Sequence, residues 1–152
     1  MKFQSALAGA LASAVIGFAF STMVPSPAAA EIRIGADPGG EVASYVHKFE
    51  AVRASGEHVV IDGPCLSACT LLLGIVPRDH ICVTHQAVLG FHAASYYDDT
   101  SRSLVPTRAG TRLVMQIYPP AIRSWIARHG GLRPALIELR GRELAGMYQT
   151  CH

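Results

Sequence analysis

The segment from His58 to Leu73 constrains the fold more than any other part of this sequence. His58 to Asp62 is a short run of mostly β-branched apolar residues, which predicts a buried strand. A second apolar run begins at Thr70 and predicts a buried helix, with Ser67 on the turn between the two. A serine at such a turn presents its hydroxyl beside the free N–H groups of the new helix. The segment therefore predicts a strand–helix unit and a candidate nucleophile.

The residues before this segment alternate between strand and helix patterns. Residues 31–35 alternate between polar and apolar side chains, which predicts a short strand, and residues 36–40 predict a turn. In residues 41–53 the apolar side chains recur at intervals of three and four, which indicates one buried helical face. Strand, helix, strand, helix is a βαβ series, so the sequence predicts an α/β fold with a largely parallel sheet.

The second half of the chain is predicted to contain further strands and helices. Pro119 and Pro120 divide two helical patterns, and Pro120 suits the first turn of the second helix. In chain order, the predicted elements are strands at 81–83 and 87–91, a polar surface loop at 93–107, helices at 108–117 and 120–128, and one or two short helices within 132–147.

The first thirty residues have the features of a secretory signal. Lys2 gives a positive start, the small and apolar stretch 6–24 follows, and prolines and alanines precede a predicted cleavage after Ala30. An uncleaved N-terminal anchor is the alternative, because the stretch is nearly long enough to span a bilayer. Cleavage would leave residues 31–152 as a single domain of an exported protein, periplasmic or secreted, with no membrane span.

The charge of this predicted mature chain gives no sign of a polyanionic partner. Without Lys2 it carries twelve basic and eleven acidic residues, and no basic cluster stands out. Nucleic acid is therefore not an expected partner.

The predicted mature chain contains four cysteines, Cys65, Cys69, Cys82 and Cys151. An even number in an exported protein favours disulfides, and four cysteines allow three connectivities. A zinc site is an alternative, since the first three cysteines and His85 loosely imitate a zinc-ligand spacing, and free thiols are another. Large apolar neighbours around the first pair argue against zinc, so disulfides are favoured and no metal is expected.

The turn, the serine and a later histidine together resemble the peptidases of the Clp protease/crotonase superfamily, and more closely still its cysteine-containing exported bacterial members of unassigned function. Ser67 follows the Pro38-Gly39-Gly40 turn by 27 residues, and His92 follows Ser67 by 25, intervals similar to those of that family. The resemblance is good over residues 31–92 and weak over 108–147. It implies a ClpP-like spiral of βαβ units, shortened here because family members have an additional strand and helix before the turn.

By this resemblance Ser67 is the nucleophile, His92 is the general base, and the backbone N–H groups of Gly40 and Ala68 form the oxyanion hole. A tetrahedral intermediate needs two donors where its negative charge grows. Gly40 has no side chain to block the approach, and Ala68 follows the serine at a helix start. The implied function is that of an exported serine hydrolase, a peptidase, which acts on a peptide or protein substrate and needs no cofactor.

The third member of a catalytic triad is the least defined part of the pattern. A triad histidine needs a carboxylate or amide to fix its tautomer. The resemblance puts the acid at Glu138, where the family usually has aspartate. Asp98 and Asp99, six and seven residues after His92, are alternatives, and a site with no acid is another.

Other interpretations of the same residues stay open. Ser67 alone is typical of a helix N-cap. A disulfide from Cys69 to Cys82 would pin the serine helix to the next strand, whereas one to Cys65 would distort the site. A catalytically silent module for binding or assembly is the alternative function, and acyl-thioester chemistry is a weaker one, since coenzyme A is scarce outside the cytoplasm. The resemblance also implies a homo-oligomer, although Pro119-Pro120 cuts the helical region through which family members assemble.

Overall fold

The computed structural model describes residues 30–151. The predicted secretory signal, residues 1–30, lies outside the described residues except for Ala30. Within the described part of the chain, no helix combines the length and the apolar character needed to cross a bilayer.

Strands and helices alternate along the described chain. The strands are β1 (Glu31–Ile34), β2 (His58–Ile61), β3 (Pro64–Leu66), β4 (Ile81–Val83), β5 (Val88–Phe91), β6 (Ser95–Asp98), β7 (Ser103–Pro106), β8 (Ile137–Arg140) and β9 (Gln149–Thr150). The α-helices are α1 (Val42–Ser55), α2 (Leu72–Ile75), α3 (Arg108–Ile117), α4 (Pro120–Arg128) and α5 (Gly141–Ala145), and short 3-10 helices cover Ser67–Leu71 and Arg78–His80. The α/β class predicted from the sequence is confirmed.

The larger sheet is parallel throughout, in the strand order β1-β2-β4-β9. Ile34, Ile61 and Val83 occupy matching positions across its first three strands, and all three are buried. Apolar strands of this kind are typical of a parallel sheet covered on both faces. The sheet therefore forms the centre of the core, as the βαβ pattern predicts.

The strands of the second sheet lie in the order β3-β5-β8. The candidate site lies at the carboxyl ends of β3 and β5. β3 and β5 are parallel, and Leu66 at the end of β3 pairs with Gly90 in β5. The two strands therefore end on the same side of the sheet, where β3 leads to Ser67 and β5 leads to His92. This register brings together two residues that are distant in the sequence.

Helices α3 and α4 close the core on the side of the second sheet. Tyr118, Ile122, Trp125 and Ile126 are buried, and the ring of Phe91 contacts Tyr118 edge-on. Trp125 is almost fully buried and therefore belongs to the core. These large side chains supply much of the apolar burial that stabilises a domain of this size.

Two of the predicted elements are wrong. Residues 93–107 are not a loop alone, because β6 and β7 form an antiparallel hairpin in which Tyr96 pairs with Val105. Residues 132–147 are not purely helical, because β8 pairs antiparallel with β5 before α5 begins. Leu139 of β8 is fully buried, so packing against the sheet outweighs the helical preference of this segment.

All four cysteines form disulfides. Cys65 pairs with Cys69, and Cys82 pairs with Cys151. Because all four are bonded in pairs, none is left as a thiolate ligand for zinc or as a free thiol, so neither alternative is supported. Two disulfides indicate that this protein matures in an oxidising compartment outside the cytoplasm.

Candidate active site

Ser67 is the first residue of a 3-10 helix that begins directly after β3 ends at Leu66. Its φ of 55° is in the left-handed region, which a residue other than glycine seldom adopts. The carbonyl oxygen of Ser67 accepts a hydrogen bond from the Thr70 hydroxyl at 2.6 Å. The Thr70 hydroxyl oxygen also lies 2.6 Å from the hydroxyl of Tyr118, and both residues are buried. Since Thr70 has given its only proton to Ser67, Tyr118 is the donor in the second bond.

The hydroxyl of Ser67 does not cap the helix. The N-cap position falls on Leu66, and no side chain forms a cap hydrogen bond there. The interpretation of Ser67 as a simple N-cap is therefore not supported. The half-buried hydroxyl is left available for other chemistry.

A disulfide encloses this serine. Cys65 on β3 and Cys69 on the 3-10 helix are both fully buried and are bonded across the turn, with their Cα atoms 5.3 Å apart. The bond restricts the two segments that flank Ser67. Of the two pairings considered from the sequence, the one to Cys65 is present, and Ser67 still lines the groove described below.

The Gly39-Gly40 turn packs directly against the serine turn. A Cβ added to Gly39 would lie 2.5 Å from the carbonyl oxygen of Leu66 and 2.6 Å from the Cβ of Ser67. Gly39 also has a φ of 82°, so glycine is required there for two separate reasons. Gly40, the next residue, is exposed and lines the groove described below, and Ala68 lines a smaller pocket together with Ser67.

Asp37 fastens this glycine turn to the strand that leads to Ser67. Its backbone N–H donates to Pro64, and its carbonyl accepts from Leu66, which forms an isolated parallel bridge. Its carboxylate accepts from the N–H of Gly39 at 2.9 Å and from the hydroxyl of Tyr45. One residue therefore holds both backbone segments that supply the predicted oxyanion donors.

The charge of Asp37 is stabilised where it lies. Partial burial by itself raises the pKa of this carboxyl, but hydrogen bonds from Tyr45 and Gly39 and the positive charge of Lys48 outweigh burial, so the pKa lies below its usual range. Lys48 approaches the second carboxylate oxygen at 3.5 Å. Burial and the hydrogen bond to Asp37 raise the pKa of Tyr45 to about 12. In the sequence, Asp37 lies in the predicted turn and Tyr45 in the predicted helix, and neither pattern indicates that the two side chains are hydrogen-bonded.

His92 directly follows β5, and a hydrogen bond determines which nitrogen of its ring carries the proton. Its Nδ1 lies 2.7 Å from the carbonyl oxygen of Ala93. Because a carbonyl only accepts, Nδ1 carries the proton and donates, which leaves Nε2 of the neutral ring as an acceptor. The N–H of Ala93 donates in turn to the carbonyl of Arg133 at 2.7 Å, which holds this carbonyl-bearing segment in place.

Ser67, His92 and Gly40 line one groove, of about 410 Å³. Ala68 joins Ser67 and His92 in the smaller pocket, of about 20 Å³. The rest of the groove wall is mainly small or apolar, and consists of Glu41, Val42, Ala43, Ala94, Ser95, Thr107, Gly110 and Leu113. The geometry thus brings a hydroxyl, an imidazole and a glycine turn to one concave surface.

The proposed acids lie elsewhere. Glu138 pairs in register with Gly90, and its exposed carboxylate is 3.5 Å from Arg140 rather than beside His92. Asp98 accepts hydrogen bonds from Thr100 and Ser101 within the β6–β7 turn, and the neighbouring Asp99 is exposed. Among residues 30–151, no carboxylate forms a hydrogen bond with His92. The observed hydrogen bonds agree with the alternative that has no acid.

No protein-family model matches this chain, and no curated protein matches it. The family resemblance therefore rests on the motifs and their spacing alone.

Proposed function

We propose that this protein is an exported serine hydrolase, a peptidase that cleaves peptide or protein substrates without a cofactor. The observation that carries the proposal is that Ser67, His92 and Gly40 line the same groove although 52 residues separate the first of them in the chain from the last. Two consecutive strand pairs, β2–β3 and β4–β5, pass from the larger sheet into the second one, which is compatible with a shortened ClpP-like spiral. The two disulfides are compatible with periplasmic or secreted localisation.

In the proposed mechanism, the hydroxyl of Ser67 attacks the substrate carbonyl while Nε2 of His92 accepts its proton. The N–H groups of Gly40 and Ala68 donate to the oxyanion of the tetrahedral intermediate. His92 then gives the proton to the leaving amine, which departs and leaves an acyl group on Ser67. Water, activated by the same nitrogen, releases the acyl group and regenerates the serine.

The carbonyl of Ala93 takes over one of the two tasks that a triad carboxylate performs. It holds the Nδ1 proton and so selects the tautomer in which Nε2 is basic. It carries no formal charge, so it stabilises the imidazolium less than a carboxylate would. We therefore expect a Ser–His dyad whose acylation is slower than that of a full triad.

Labelling with a fluorophosphonate tests the proposal, because this reagent reacts much faster with an activated serine than with an ordinary hydroxyl. Wild type should be labelled at one site, Ser67→Ala should not be labelled, and His92→Ala should react at least about a hundredfold more slowly. Ser124→Ala, which removes an exposed hydroxyl from α4, is the matched control and should react like wild type. Equal labelling of wild type and Ser67→Ala would overturn the proposal.

A catalytically silent module is the second candidate, and one observation favours it. Among the described residues, Ser67 and His92 share a groove but no hydrogen bond joins them. This candidate predicts that wild type does not react with the fluorophosphonate. It also predicts that the free energies of unfolding of Ser67→Ala and His92→Ala lie within about 0.5 kcal/mol of the wild-type value. Labelling combined with thermal melting of both variants separates the two functions.

A further inference from the structure

A second cavity, of about 500 Å³, adjoins the candidate active-site groove. Ala93, the residue after His92, forms part of its wall, and Thr107 lines both the cavity and the groove. The two concave surfaces are therefore neighbours, separated by the beginning of α3. Thr107 is the wall residue that the groove and the cavity share.

The partition between them is fixed by hydrogen bonds. The N–H of Thr107 donates to the carbonyl of Ala94 at 2.8 Å, and the N–H of Ala94 donates to the hydroxyl of Thr111 at 3.1 Å. The same hydroxyl donates to the carbonyl of Thr107 at 2.8 Å. The start of α3 is thus tied to the segment that follows His92, so the cavity keeps its position relative to the proposed base.

The cavity carries positive charge. Arg108 and Arg112 lie one helical turn apart on α3, which puts them on the same side of the helix, and both line the cavity. Over residues 30–151 neither guanidinium forms an ion pair or a side-chain hydrogen bond with the protein. The remaining wall, which includes Leu132 and Pro134, has no acidic residue.

We propose that this cavity is a subsite for a substrate carboxylate. The inference rests on the proposed function, since the carboxylate would belong to a peptide whose scissile bond lies in the groove. Two exposed guanidinium groups with unused donors match the planar, bidentate geometry of a carboxylate. The protein would therefore prefer peptides that carry a carboxylate near the bond to be cleaved. Either an acidic side chain or the free C-terminus supplies this chemistry.

Equilibrium binding of three dansyl-labelled alanine pentapeptides tests the subsite without requiring catalysis. One ends in a free carboxylate, one ends in an amide, and one has a central glutamate and an amide end. Wild type should bind at least one carboxylate peptide about tenfold more tightly than the neutral peptide, and that preference should fall as salt is raised. The stronger of the two carboxylate peptides identifies the source of the carboxylate.

The arginine variants locate the effect. The double variant Arg108→Gln/Arg112→Gln should lose the preference for carboxylate peptides. Arg112→Lys should keep part of this preference, because lysine retains the positive charge but lacks the planar guanidinium that binds a carboxylate through two hydrogen bonds. Arg53→Gln, at the exposed end of α1, changes the net charge by one unit outside this cavity and should bind like wild type. Equal affinity for all three peptides, or a preference that survives the double variant, would overturn the subsite.

The outcomes also separate the subsite from the hydrolase. Fluorophosphonate labelling of Ser67 with no peptide preference would retain the hydrolase and reject the subsite. A preference that the double variant removes, without any labelling, would retain carboxylate binding and reject the hydrolase.

Discussion

Asp37 is the residue on which the candidate site depends most, although it does not line the groove with Ser67. It joins the glycine turn, the strand before the serine and the hydroxyl of Tyr45. Such a residue acts by positioning the N–H groups of others. Its role also shows how a polar side chain in a predicted turn can matter more than its location in the sequence suggests.

Asp37→Ala should slow fluorophosphonate labelling about tenfold or more and lower the free energy of unfolding by about 1–3 kcal/mol, because Gly39, Tyr45 and Lys48 lose their acceptor. Asp37→Asn keeps an acceptor for the N–H of Gly39 and should recover part of the labelling rate. Asp99→Ala, an exposed aspartate on the hairpin, should change neither quantity. Labelling that is unchanged in Asp37→Ala would show that the glycine turn needs no such support.

The lowered pKa of Asp37 also predicts a pH dependence of stability. In the folded protein this carboxyl binds its proton less readily than in the unfolded chain, so it stabilises the fold above the ordinary carboxyl pKa. That contribution should disappear as the pH falls from the ordinary carboxyl range through the lower folded-state pKa. Urea denaturation across this acidic range should show a smaller loss of stability for Asp37→Asn than for wild type. Equal losses of stability in wild type and Asp37→Asn would contradict a lowered pKa of Asp37.

At the scale of elements, the sequence predicted the strands and helices with strong local patterns. The helices at 108–117 and 120–128 begin and end where expected, because the two prolines mark their boundary. That Ser67 and His92 lie at one groove was expected from the family intervals alone. The direct cause is the pairing of β3 with β5, and no local pattern marks Pro64–Leu66 as a strand.

Two elements lack a strong local pattern for different reasons, since β8 depends on a partner distant in the sequence whereas the β6–β7 hairpin is local but short. β8 is held by pairing with β5, and the hairpin of β6 and β7 has only four residues on each side. Glu138, the acid implied by the resemblance, pairs with Arg140 and not with His92 for a related reason. In a strand, neighbouring side chains point to opposite faces, so the burial of Leu139 turns Glu138 towards solvent.

Gly39→Ala tests the contact between the glycine turn and β3. The new Cβ would meet the Leu66 carbonyl and Ser67, and the positive φ adds backbone strain, so we expect a loss of about 1–3 kcal/mol and little labelling. Gly56→Ala, also at positive φ but with open space around it, controls for the strain alone. Equal losses of stability and labelling in both variants would mean that the close approach is unimportant.

At the scale of the whole molecule, the second disulfide joins the end of the described chain to the central sheet. Cys82 on β4 and Cys151 after β9 are 69 residues apart, and their bond encloses the hairpin, α3, α4, β8 and α5. The cross-link restricts the unfolded chain across all of these elements. It therefore has a much larger entropic effect than the bond around Ser67.

Replacing both Cys82 and Cys151 with serine should lower the free energy of unfolding by about 4 kcal/mol, as expected for a loop of this length. The matched pair Cys65→Ser/Cys69→Ser should lower it by about 2 kcal/mol, since its loop is short. Denaturant unfolding of both variants under non-reducing conditions measures the difference. A greater loss in the second variant would contradict the entropic explanation.

The central claim is that a hydroxyl and an imidazole meet beside two inward-facing backbone amides. The most direct measurement is a crystal structure of the protein after reaction with a fluorophosphonate. We predict phosphorus bonded to Oγ of Ser67, Nε2 of His92 within about 3.2 Å of that oxygen, and the phosphonyl oxygen between the N–H groups of Gly40 and Ala68. A His92 ring turned out of the groove, or a phosphonyl oxygen that faces solvent, would contradict the account.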